Sequence, residues 1–109
     1  MIQTLQELAQ GLASIYPTAH YEFTSKQEPP FIVYLDEGED YLHGDNVVVE
    51  TSNTLTVELY TTKRDLEAEN KLKEFFTQNE IPYEKGSTIK IDSEGLFLCP
   101  FTIEIEIIE

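Results

Sequence analysis

The densest group of potential ligands in the sequence is an acidic segment between residues 36 and 45. It holds five carboxylates and one imidazole: Asp36, Glu37, Glu39, Asp40, Asp45 and His43. Carboxylate oxygens are good ligands for hard cations such as calcium. An EF-hand loop, however, needs ligands at alternate positions followed by a distal bidentate glutamate, and DEGEDYLHGD lacks that spacing. We therefore expect a solvated loop here, and we predict no metal ion and no other cofactor.

Glu104 and Glu106 form a second candidate pair. They would lie about 7 Å apart on one face of an extended strand, a separation at which two carboxylates can serve glycoside hydrolysis. The same residues alternate strictly with isoleucines, and an acidic outer strand face accounts for them more simply than a catalytic pair does.

The remaining nucleophiles and bases match no catalytic motif. His20 and His43 are not paired in sequence with Cys99 or with a serine, and Cys99 falls on the apolar side of its predicted strand. A core cysteine is the simplest interpretation. The sequence also lacks GxGxxG, HExxH, GxSxG and phosphate-loop patterns. Nothing in it therefore supports an enzyme.

Composition narrows the class of protein further. The 109 residues include 21 acidic and 7 basic side chains, giving a formal net charge of -14, yet 40% are hydrophobic. This apolar content predicts one folded domain spanning residues 1–109. The charge argues against binding to a nucleic-acid backbone or an anionic membrane. A single cysteine and the absence of a signal or transmembrane pattern indicate a reducing cytosol.

Hydrophobic periodicity predicts two helices, which with the strands would position the candidate side chains. Apolar residues at helical spacing indicate a first helix over residues 3–15 and a second from about Lys63 to Gln78, with Thr62 as its N-cap. Alternating or continuous apolar runs indicate strands, with a turn at residues 92–95. The predicted strands are His20–Thr24 (a short candidate), Phe31–Asp36, Val47–Glu50, Asn53–Thr61, Tyr83–Ile91 and Phe97–Ile107.

These elements predict an α+β fold in the order α-β-β-β-α-β-β. Two helices would pack on one face of a mainly antiparallel sheet of four to five strands. Pro100 lies within the last strand, where it cannot donate a ladder hydrogen bond, so we expect that stretch at a sheet edge or a bulge.

Charge is distributed unevenly along the chain. Between Lys26 and Lys63 there are eight acidic residues and no basic one, whereas five of the seven basic residues are Lys63, Arg64, Lys71, Lys73 and Lys85. Such a protein can attach its copies head to tail and close a ring. The alternative is an ordinary solvated helix with ion pairs between successive turns. Tyr41 and Leu42, inside the acidic segment, would either cap the core or be buried by a neighbouring subunit.

The whole chain resembles the small tail-terminator, or tail-completion, proteins of long-tailed phages and prophages of Gram-positive bacteria. The resemblance is carried by the phrases MIQTLQELAQGL, QEPPFIVYLDEGED, LTVELYTTKRDLEAENKLKEFF and IPYEKGSTIKIDSEGLFLCPFTIEIEI. It implies a virion structural protein at the head-proximal end of the tail, assembled in the bacterial cytoplasm. It also implies a ring of six copies that contacts the major tail tube protein and a head-completion or neck protein.

On this resemblance, two stretches are expected to reach a neighbouring copy. They are residues 36–45, including Asp36, Glu37, Glu39, Asp40, Tyr41, Leu42 and Asp45, and residues 60–64, including Tyr60, Lys63 and Arg64. Two alternatives remain open. One is a head-closure or neck adaptor protein, and the other is an acidic inhibitor that mimics DNA.

Overall fold

The computed structural model describes residues 2, 4–41 and 51–107. Side chains are described for these residues except at positions 36–41, 51–53, 106 and 107. The elements in chain order are α1 (Leu5–Ala13), β1 (Thr18–His20), β2 (Phe31–Tyr41), β3 (Thr51–Thr61), α2 (Leu66–Gln78), β4 (Tyr83–Lys85), β5 (Ile89–Ile91) and β6 (Leu96–Ile107). The α+β class and the two helices are as predicted, but the described chain has six strands, three of them after α2.

The sheet is built on three long central strands. Its order is β1-β2-β3-β6-β4, and β5 also pairs with β6. All pairings are antiparallel except that of β1 with β2. The predicted strand Tyr83–Ile91 is therefore two short strands, β4 and β5, which pair with successive parts of β6.

One face of this sheet carries the main core. In β3, the side chains of Leu55, Val57 and Leu59 are fully buried, as the alternation in the sequence predicts. Their partners in β2 and β6 continue the same face, and both helices bury their apolar residues against it. The buried helix residues in this cluster are Leu8, Leu12, Ala68, Leu72 and Phe76.

Local side-chain contacts fix where each helix begins. The Thr4 hydroxyl accepts a hydrogen bond from the backbone N–H of Glu7 at 3.1 Å, which caps α1. Asp65 caps α2 in the same way, through the backbone N–H of Ala68 at 3.1 Å. The predicted start of α2 at Lys63, with Thr62 as cap, was thus wrong by one turn. Asp65, three residues after Thr62, accepts a hydrogen bond from the first turn of the helix instead.

Two other boundary predictions were wrong. The first strand ends at His20 and does not begin there, because Tyr21 adopts a left-handed backbone conformation with φ of 68° that interrupts an extended chain. Residues 37–41, predicted as a loop after a strand ending at Asp36, continue β2 in register with β3, apart from an irregularity between Asp36 and Glu39. The predicted strand Val47–Glu50 lies outside the described residues.

Of the two positions expected for Pro100, a sheet edge is wrong, since β6 lies between β3 and β4, but the register of β6 against β4 and β5 shifts by one residue beside Pro100. Its carbonyl accepts a hydrogen bond from the N–H of Gly86 at 2.8 Å, so its nitrogen also faces the gap between β4 and β5. The pairing with β3 therefore loses no hydrogen bond. The neighbouring residue must be small, because a Cβ on Gly86 would lie 2.9 Å from Pro100 Cγ.

A nearly buried ion pair ties α2 to β4. Glu69 Oε1 lies 3.5 Å from Lys85 Nζ, and the side chains are 4% and 25% exposed, respectively. A buried carboxylate is costly unless a charged partner offsets its lost hydration. Lys85 supplies that partner while its longer side chain keeps some contact with water.

This asymmetry predicts unequal effects of removing the two charges. Lys85→Met leaves the buried Glu69 carboxylate unpaired and should lower the free energy of unfolding by about 3 kcal/mol. Glu69→Met leaves a lysine that can turn to solvent and should cost about 1 kcal/mol. Urea denaturation measures both. If Lys85→Met proves no more destabilising than Glu69→Met, the buried-charge argument fails.

Candidate interaction surfaces

The second face of the sheet is also apolar, at the end where β3 runs into α2. Register places four residues in one row across four strands: Phe31, Tyr60, Leu98 and Ile89. The Phe31 and Tyr60 rings stack with centroids 4.9 Å apart, and Phe23 packs edge-on against Phe31 at 5.5 Å. Neither helix packs on this face, and the segment 21–30 covers only part of it.

A cleft of about 970 Å³ opens over this row. Phe31, Val33 and Tyr60 form its floor, residues 21–29 form one wall, and Thr62 with residues 93–96 forms the other. We call this the aromatic cleft. Its volume lies at the upper end of the range for ligand pockets, and its floor offers large apolar anchors.

Two carboxylates act on the hydroxyl of Tyr60 in the floor. The Tyr60 hydroxyl donates a hydrogen bond to Glu58 Oε1 at 3.1 Å. Burial, followed by the charge and hydrogen bond of Glu58 and the charge of Glu94, raises the pKa of Tyr60 from 10.0 to about 12. Tyr60 thus stays protonated at physiological pH, and two carboxylates act on one hydroxyl from different elements of the fold.

The structure separates the two stretches expected to reach a neighbour. Phe31 pairs with Tyr60 at one end of the β2–β3 ladder, and Tyr41 pairs with Thr51 at the other. Ten residues of strand span about 33 Å. Asp36, Glu37, Glu39, Asp40 and Tyr41 therefore belong to the part of β2 that runs toward the far end, while Tyr60, Lys63 and Arg64 lie at the near end.

Tyr60 is in the cleft floor, whereas Lys63 and Arg64 are exposed in the connection to α2. Within the described residues, neither of these two cations has an ion-pair partner. We call Lys63 and Arg64 the basic corner. Leu42 and Asp45, the other two residues expected at an interface, lie outside the described residues, as does His43.

The sequence prediction missed most of the cleft. Phe23, Phe31, Glu58 and Glu94 were not selected, because they are far apart in sequence and match no motif. One signal was present: FIVYLD is apolar on both strand faces, which requires cover on the second face. The structure places β2 between β1 and β3, with Phe31 and Val33 in the cleft that the segment 21–29 borders.

The single thiol belongs to the core, as predicted. Cys99 is 4% exposed, and burial, with a smaller contribution from Glu69, raises its pKa. The thiol is therefore protonated at neutral pH and is a poor nucleophile. Among the residues whose side chains the structure describes, which do not include positions 36–53, no three histidine, cysteine, aspartate or glutamate side chains are grouped closely enough to share a metal ion.

Two sequence comparisons with known proteins found no match. No family model matches the chain, and no curated protein is significantly similar to it. Neither of the two described helices has the length and apolar character needed to cross a lipid bilayer.

The burial of Tyr60, together with its contact with Glu58, predicts a pH dependence of stability. The folded protein keeps Tyr60 protonated up to a pKa of about 12, whereas the unfolded chain releases the proton near 10.0. The stabilising contribution is complete below the lower value and is lost as pH rises through this interval. Urea denaturation across the interval should show a shallower fall in stability for Tyr60→Phe than for wild type.

Glu58→Gln supplies a second measurement of the same contact. Removing this charge should lower the pKa of Tyr60 but leave it above 10.0, because burial is the larger cause. Tyrosinate absorbance in a pH titration, with Tyr60→Phe to assign the signal, gives the value. Glu67→Gln, on the solvent side of α2, is the matched control. An equal shift of the Tyr60 pKa in that variant would show that the shift does not come from the contact with Glu58.

Proposed function

We propose that this protein is a virion structural subunit of the tail-terminator type, which forms a ring at the head-proximal end of a phage tail tube. In this role it ends tube polymerisation and forms the surface to which the head docks. Its partners are further copies of itself, six in the ring suggested by the family resemblance, the major tail tube protein and a head-completion or neck protein.

The observation that carries the proposal is the separation of charge along the sheet. The acidic part of β2, residues 36–40, begins about 17 Å along the ladder from Phe31 and extends to about 30 Å, whereas the basic corner follows Tyr60 at the Phe31 end, so the two do not meet within one copy. Contact between unlike ends of successive copies is the heterologous geometry that produces rings.

Net charge sets a condition on this assembly. Six copies at -14 each give a formal charge of -84, and carboxylates facing a central channel would repel DNA phosphates, so that DNA could pass without adhering. The same charge makes copies repel one another. Salt screens that general repulsion but also weakens the contact between opposite charges, and ring formation should therefore be most favourable at intermediate ionic strength.

Deletion of the gene from its phage or prophage tests the role directly. We expect filled heads without tails, together with free tails of irregular or excessive length, in electron micrographs of the particles. Tails of normal length beside leaking or tailless heads would instead place the protein at the neck. Fully normal, infective particles would overturn the virion role and favour the DNA-mimic alternative.

Charge reversal at Arg64 tests the proposed contact. Arg64→Glu places a like charge opposite the acidic end of the next copy and should weaken ring formation by at least about tenfold, while the monomer stays folded because residue 64 is exposed. Sedimentation velocity and negative-stain microscopy, with and without tail tubes, measure the rings.

Two further variants make the result specific. Lys71→Glu makes the same charge change on α2, where Lys71 Nζ lies 3.9 Å from Glu67 Oε1. This variant should leave rings intact. Asp40→Arg combined with Arg64→Glu exchanges the two charges and should restore association in part. Equal ring formation by wild type and Arg64→Glu would show that the basic corner is not the contact.

A further inference from the structure

The aromatic cleft has a chemical character that ring formation does not explain. Its lining combines four aromatic rings, those of Tyr21, Phe23, Phe31 and Tyr60. Aromatic side chains in a concave site are the residues that most often anchor a protein partner. The cleft faces away from both helices, so an occupant would not have to displace the main core.

The charged residues around the cleft indicate whether an occupant would be positively or negatively charged. Of the described residues that line it, three are acidic, Glu22, Glu28 and Glu94, and one is basic, Lys26. Glu58 does not line the cleft, but its carboxylate accepts a hydrogen bond from the hydroxyl of Tyr60 in the floor at 3.1 Å. A cation entering the cleft would meet carboxylates and aromatic rings together, and both attract it.

We propose that the aromatic cleft binds a protein segment of a partner in which arginine or lysine residues are interleaved with apolar residues. The apolar side chains would cover Phe31, Val33 and Tyr60, and the cationic groups would reach the acidic rim. This inference goes beyond the ring contact, since it concerns a partner other than a second copy and a surface that shares Tyr60 and Thr62 with the stretch 60–64 but not the basic corner.

A second copy of this chain fits the cleft poorly. Each copy carries a net charge of -14, so a docked copy would bring carboxylates toward an already acidic rim. Its basic corner also adjoins the cleft, because Thr62 lines the wall next to Lys63. Because corner and cleft adjoin, two copies that each insert the corner into the other's cleft form a two-fold pair and not the head-to-tail contact of a ring.

A synthetic peptide provides a direct probe. Acetyl-Arg-Leu-Arg-Trp-Arg-Leu-Arg-amide alternates cationic and apolar residues, and its fluorescence can be excited selectively because the protein contains no tryptophan. We expect saturable binding at a single site. The same peptide with citrulline, which is neutral, in place of arginine should bind at least about tenfold more weakly.

Variants with opposite expected effects separate the cleft from general attraction to an acidic protein. Glu94→Gln should weaken binding by about threefold and Lys26→Gln should tighten it by about twofold, whereas Glu67→Gln on α2 should change it far less. Tighter binding by Lys26→Gln cannot result from unfolding of the variant. Tyr60→Leu, checked for its fold by circular dichroism, should weaken binding by about tenfold.

Three results would overturn the proposal. One is equal binding of the arginine and citrulline peptides, and another is equal effects of Glu94→Gln and Glu67→Gln. The third is absence of peptide binding together with self-association that Tyr60→Leu abolishes, which would make a second copy the occupant. None of these depends on gene deletion or on Arg64→Glu, so the cleft and the ring proposal can fail separately.

Discussion

The pairing of β3 with β2 on one side and β6 on the other is the constraint on which the rest of the structure depends. Because side chains alternate along a strand, this pairing assigns Leu55, Val57 and Leu59 to the helix-covered face and Glu58 and Tyr60 to the opposite face. A shift of β3 by one residue would exchange the two sets. The helical core and the aromatic cleft are thus two consequences of one register.

Local pattern was sufficient to predict the elements whose boundaries depend on nearby residues. The leucine spacing of α1, the alternation in β3 and the turn before β6 were identified correctly, because each is a short-range repeat or turn pattern. The start of α2 failed for a local reason, since Thr62 and Asp65 are both acceptable caps and only tertiary packing decides between them.

Long-range pairing explains the larger errors. The acidic residues from Asp36 onward favour solvent, but the backbone from Asp36 to Tyr41 gains partners in β3, and this outweighs the loop propensity of the sequence. Pro100 is tolerated in a central strand because its nitrogen faces the break at Gly86. Neither arrangement can be read from spacing alone, because each depends on residues ten or more positions away.

The fold determines where the charges of one copy can meet opposite charges on another molecule. A net charge of -14 opposes any association of copies, so a contact between them must be built where opposite signs meet locally. The fold keeps its exposed basic corner at the end of β3 and the acidic part of β2 toward the other end. The aromatic cleft lies beside the basic corner, yet its rim is acidic. On the proposed functions, neighbouring surfaces of one sheet end would therefore select different partners by charge: the basic corner an acidic copy, and the cleft a basic segment.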